Sequence, residues 1–111
     1  MTPETLPYFP GGQSALEEFI SKNLRYPEEA VKAGAEGIVL VQFTIEYEGS
    51  VHSPIILMDK VGYGASAETK RLVQLMPKWV PATISGESVT VEYTLPVSFN
   101  IKKYQTRPGN H

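Results

Sequence analysis

Between Val89 and Ile101 the chain alternates without an error. Val89, Val91, Tyr93, Leu95, Val97, Phe99 and Ile101 fall on one side, and Thr90, Glu92, Thr94, Pro96, Ser98 and Asn100 fall on the other. A period of two held over thirteen residues describes a half-buried antiparallel strand, apolar toward a core and polar toward water. A slip of one residue would turn every apolar side chain outward, so this segment demands a covering layer and a set register. Pro96 has no N–H to give to a ladder, which leaves one side of the strand unpaired there. Lys102 and Lys103 end the pattern, and residues 102–111 read as a flexible tail.

The rest of the chain supplies the cover. Residues 1–12 form an extended lead, because Pro3, Pro7, Pro10 and the pair Gly11-Gly12 oppose regular structure. Ser14 and Glu17 have the spacing of a capping box, and Ala15, Leu16, Phe19 and Ile20 follow at helical intervals, which predicts a helix over 14–22 closed by Leu24. Pro27 suits the first position of a second short helix, with Glu28 and Glu29 in its positive first turn, Ala30, Val31 and Ala33 as its apolar face, and Gly34 as its stop. From Gly37 the period changes to two, with Val39, Val41, Phe43, Ile45 and Tyr47 on one face. A turn at 46–49 leads into a strand over 50–58, read with Val51, Ser53, Ile55 and Leu57 inward, where Pro54 indicates an edge or a bulge. Ser66 is placed to cap a helix over 66–76 whose inner stripe is Leu72, Val73, Leu75 and Met76. Ser85-Gly86 turns the chain into the last strand. The reading is α+β: one domain over 1–111, a two-layer sandwich with a three-stranded antiparallel sheet and two to three helices on one face.

The residue inventory excludes most chemistry. With no cysteine there is neither a disulfide nor a thiol nucleophile. A net charge of −2 does not suit a general nucleic-acid binder. The longest aliphatic runs, 38–41 and 55–58, are far short of the roughly 20 residues that span a bilayer, and the N-terminus lacks the basic and apolar regions of a signal peptide. Two distant histidines do not make a metal centre, so no metal or cofactor is expected. His111 is terminal, and His52 falls on the outer face of its strand, as a surface histidine. Glu17-Glu18 and Glu28-Glu29 sit in first helical turns, where the dipole explains them. Gly11-Gly12 and Gly62-Tyr63-Gly64 lack the strand, helix and lysine of a phosphate loop and read as turns. Lys102, Lys103 and Arg107 make a small basic end that keeps a strand soluble. Trp79, just past an apolar helical stripe, packs into the core. No enzymatic constellation is left. What remains is the open edge of the last strand, able to take an extended peptide as an added strand.

The order of residues resembles a known family. Tyr26-Pro27-x-x-Ala30, Gly34-x-x-Gly37-x-Val39-x-Val41-x-Phe43-x-Ile45 and Gly49-x-Val51 come first. Arg71-Leu72-Val73, Met76-Pro77-Lys78-Trp79-x-Pro81-Ala82, Gly86, and Val89-x-Val91 through Leu95-Pro96-Val97-x-Phe99 follow. Together they are similar to the C-terminal domain of TonB-type energy transducers. Phe9-Pro10-Gly11-Gly12 is similar to the form of Bacteroidetes-type relatives. The resemblance implies a periplasmic domain that grips the TonB box of an outer-membrane transporter beside its last strand, here Val89 to Ile101. It implies a contact near the transporter plug at Asn23, Leu24, Arg25, Tyr26 and Pro27, although Tyr26 and Pro27 also suit a purely structural role as staple and helix start. It implies force from an inner-membrane proton-motive complex, acting through an N-terminal anchor absent from these 111 residues, which then read as the reading head of a longer machine. Two alternatives stand beside it. One is a TonB-like module of another membrane protein, such as a sensor-type peptidase relative. The other is a homodimer through the sheet edge.

Overall fold

The computed structural model describes residues 3–106. In chain order the elements are α1 (Gln13–Asn23), α2 (Glu28–Ala33), β1 (Gly37–Ile45), β2 (Val51–Asp59), α3 (Ala65–Gln74), β3 (Ala82–Ile84), β4 (Glu87–Val89), β5 (Val91–Phe99) and α4 (Ile101–Thr106). The main sheet is antiparallel with order β2-β1-β5, so β1 is central and β5 is an edge. Its register is unbroken against β5, from Gly37 opposite Phe99 to Ile45 opposite Val91. β3 and β4 form a separate hairpin.

Alternation decides which face is covered. Val39, Val41, Phe43 and Ile45 of β1 and Leu95, Val97 and Phe99 of β5 are buried on the same side as Leu16, Leu24, Ala30, Leu72 and Val73 from the helices. Each of these side chains larger than Ala30 contributes roughly 1.5–3 kcal/mol by leaving water. The architecture is therefore the two-layer α+β sandwich, with its helices on one face. Trp79 lies in the core as expected, against Phe9, Phe43 and Tyr93. Among the described residues its buried indole Nε1 has no hydrogen-bond partner.

The structure corrects several expectations. Neither predicted serine cap forms. α1 starts after Gly12 and α3 after Gly64, both without a side-chain cap. Ser66 Oγ instead donates to Asp59 Oδ2 at 2.6 Å, tying α3 to the end of β2. Pro27 precedes the first residue of α2 rather than being that residue, and Gly34 stops α2 in the left-handed region, as its lack of a Cβ permits. Leu75, expected inward, is half exposed.

The inner face of β2 is also reversed along most of its length. Val51 points inward opposite Ile45, but the pairing slips between Thr44–His52 and Gln42–Ile55, a bulge at Ser53-Pro54, and slips again between Val41–Ile56 and Leu40–Met58, at Leu57. Ser53 takes a φ of 57° there. One extra residue inverts parity, so Ile55 and Leu57 face solvent while Ile56 packs on the core.

The long last strand is broken at both ends. Val89 belongs to β4 and pairs with Ala82, Thr90 is a break, Asn100 is a connection, and Ile101 opens α4. The reason is the length of β1. Past Ile45 the chain turns away, so Thr90 has no backbone partner on β1 and its Oγ1 accepts the N–H of Tyr47 instead. At the other end Asn100 Oδ1 accepts the N–H of Lys103, starting a helix where a tail was expected. The rest of that tail, with Arg107 and His111, lies outside the described residues. The N-terminal lead is extended, as read, but bridged: Thr5 pairs with Thr83 and Tyr8 with Val80.

Candidate peptide-binding edge

The hydrogen-bonding sides of the strands follow from two bonds at opposite ends of β1. The carbonyl of Ile38 accepts the N–H of Lys60, and the N–H of Glu46 donates to Ser50. Even-numbered residues of β1 therefore turn their backbone groups toward β2, and the odd-numbered ones turn toward β5. By the register, Val91, Tyr93, Leu95, Val97 and Phe99 are the bonded partners of β1. The N–H and C=O of Glu92, Thr94 and Ser98, and the C=O of Pro96, project from the free edge. Among the described residues, these groups make no backbone bond to another element. Pro96 sits where the lack of an N–H costs the sheet nothing.

Beside this edge runs a groove of about 320 Å³. Leu16 and Ile20 of α1, with Leu24 just after it, form one wall, and Tyr93, Leu95, Pro96 and Ser98 form the other. Gln13, Glu17, Ser21, Asn100, Lys103 and Tyr104 add a polar rim. A second, shallower hollow lies where Pro3, Leu6 and Pro7 of the lead approach Thr90–Tyr93. The open edge thus runs from Glu92 to Asn100, with the lead near its first end and the groove from Tyr93 onward. Of the thirteen residues expected to form the binding strand, the nine from Val91 to Phe99 make up β5, Asn100 lines the groove, and Val89, Thr90 and Ile101 lie outside the strand. The α1 wall was not singled out from the sequence, because a helical apolar stripe at Leu16, Ile20 and Leu24 signals core packing and does not say which sheet edge it meets.

The segment 23–27 is held from beneath. Glu68, 9% exposed, accepts the N–H of Arg25 at 2.6 Å and is gripped by Arg71 through Nε and Nη2, each at 2.7 Å. The same Nη2 reaches the carbonyl of Asn23. Hydrogen bonds to Glu68 raise the Arg71 pKa against the opposing effect of burial, so the guanidinium stays charged. Leu24 and Tyr26 are buried. The Tyr26 ring packs edge-on against Phe99, and its hydroxyl donates to the carbonyl of Ala35. Burial, and then the charge of Glu36, push that hydroxyl's pKa up. Arg25 is exposed and Pro27 half-buried.

On the opposite edge, His52 bridges Ser53 Oγ at 2.9 Å and Glu46 Oε1 at 2.8 Å. This serine–histidine–carboxylate chain lies on the solvent side of the bulged strand β2, away from the groove, and His52 is half exposed, as the sequence indicated. Among the described residues no cluster of histidine and carboxylate is arranged to hold a metal ion.

Comparison with known proteins bears on the whole arrangement. No curated protein matches the chain. Two NMR solution structures of the Helicobacter pylori TonB C-terminal domain do. The one over residues 179–285 of that protein has 29% identity and a TM-score of 0.55, covering 77% of this chain and 76% of its own. The one over residues 194–285 has 29% identity and a TM-score of 0.56, covering 80% of this chain and 92% of its own. The family model for the C-terminal domain of the Gram-negative bacterial TonB protein matches residues 22–101, a span that begins at the last two residues of α1 and includes the whole three-stranded sheet and the open edge of β5, and the chain belongs to that family.

Proposed function

We propose that this domain grips an extended segment of an outer-membrane transporter, its TonB box, by adding it as a fourth strand beside β5. Domains of the family are periplasmic and interact with outer-membrane transporters. The observation that carries the reading is the unpaired β5 edge lying along a groove whose far wall is α1. Main-chain bonds at Thr94 and Ser98 supply affinity, and alternate side chains of the guest enter between Leu16, Ile20 and Leu95. Arg25 is the side chain of the 23–27 segment left to meet the transporter's plug, while Leu24 and Tyr26 support it. In this reading the domain works in the periplasm, and the pull of the proton-motive complex reaches it from the inner membrane. Among the described residues no helix is long and apolar enough to cross a membrane.

The test is an NMR titration with a synthetic TonB-box peptide. The amides of Glu92, Thr94 and Ser98, which face the edge, shift strongly, and those of Val41 and Phe43 in the sheet interior shift little. Edge amides left unmoved at millimolar peptide would overturn the reading.

A further inference from the structure

The open edge carries a gap at its centre. Its rungs are Glu92, Thr94, Pro96 and Ser98, and Pro96 offers an acceptor but no donor. A foreign strand laid along the edge therefore loses one hydrogen bond. A second copy of this chain, paired edge to edge across a two-fold axis, brings its own proline. With Pro96 opposite Pro96 that rung has no bond at all, and with Pro96 opposite Thr94 two rungs are each one bond short. Either way two carbonyls go without a donor, each a cost in a dry interface. The groove adds to the asymmetry. In such a pair both helix layers lie on the same side, so the second copy would press its α1 into a space that suits one extended strand.

We propose that Pro96 is a specificity-determining residue of this edge, admitting a foreign extended segment while barring a second copy of the chain. It rests on the strand-addition reading above for the identity of the guest, but its exclusion of self-pairing stands apart from that reading. The ring costs the fold nothing, because Leu40 and Pro96 are opposed without exchanging hydrogen bonds. It is a guard on an edge that otherwise has the length and alternation of an aggregation site.

The experiment is sedimentation velocity over a wide concentration range, with amide exchange of Thr94 and Ser98, on the native chain, Pro96→Ala and Thr94→Pro. Pro96→Val serves in place of the alanine variant if that one does not fold, since a β-branched residue suits a strand. The native chain stays monomeric. Pro96→Ala, with its donor restored, forms a concentration-dependent dimer in which the Thr94 and Ser98 amides become protected. Thr94→Pro folds, because the N–H it removes points away from β1, and it stays monomeric. It binds the TonB-box peptide roughly fivefold more weakly, the weight of one hydrogen bond. A Pro96 variant that remains monomeric with unprotected edge amides, a native chain that already pairs through β5, or a Thr94→Pro chain that cannot fold would each overturn the proposal. If no peptide binds while Pro96→Ala dimerises, the transporter reading fails and the guard on the edge stands.

Discussion

Single residues hold this domain together at its joints. Gly49 is one. Its φ is +96°, and a Cβ built there would lie 2.3 Å from the carbonyl oxygen of Trp79. The close approach is functional for the fold, since the Trp79 N–H donates to the Gly49 carbonyl at 2.9 Å and pins the β1–β2 turn to the segment after α3. Gly49→Ala is expected to cost about 2 kcal/mol by strain and displacement, read as a lower midpoint of urea unfolding. Asp59 is another. Partial burial works to raise its pKa, but donors from Ser66 Oγ and the N–H groups of Gly62 and Val61 outweigh it, and the carboxyl is held below its usual value. A depressed carboxylate stabilises the fold above the unfolded pKa of about 3.9, and that contribution is lost as pH falls through the folded value. Stability measured against pH therefore drops in this acid window, and Asp59→Asn flattens that part of the curve while lowering stability at pH 7.

At the level of elements, the lesson is that partners set the ends and faces of a strand. The alternation of Val89 to Ile101 was fully legible, yet only nine residues became β5, because β1 offers nine partners. In β2 the proline at position 54 indicated an edge or a bulge, and both are present. What the alternation could not show is that the bulge reverses parity through Ile55 and Ile56, until the second slip at Leu57. The pair Ile55 and Ile56 tests this directly. Ile56→Ala is expected to destabilise by about 1–2 kcal/mol, reduced from a full core deletion by its partial exposure. Ile55→Ala stays within about 0.5 kcal/mol, as a surface change does. Thermal or denaturant melts of the two variants give the answer, and the opposite order would place the bulge elsewhere. The helix starts carry the same point. Ser14 and Ser66 have capping spacing, but Gly12 and Gly64, both at positive φ, already start the helices two residues earlier, and Ser66 is drawn to Asp59 instead.

In the whole molecule, the groove is an assembly of distant parts: α1 from the N-terminal quarter, β5 from the C-terminal quarter, and Phe9 of the lead locking α1 through contacts with Phe19 and Trp79. Phe9→Ala is expected to cost about 3 kcal/mol and also to weaken peptide binding, since α1 loses its seat. Calorimetry and the titration above read the two losses, and a variant destabilised but binding as before would show that α1 does not form the working wall. By itself, the sequence determined the two-layer α+β class, the inward set of β1 and β5, the stop at Gly34, the core position of Trp79 and the family. These rest on periodicity and on the fixed chemistry of glycine and proline, which are local properties of the chain. Only the tertiary structure decided which helix walls the open edge, where the last strand breaks, and that Glu68 and Arg71 clamp the 23–27 segment from another helix. Those depend on pairing across many residues, where a partner's length and a single bulge choose among arrangements that local pattern leaves equal.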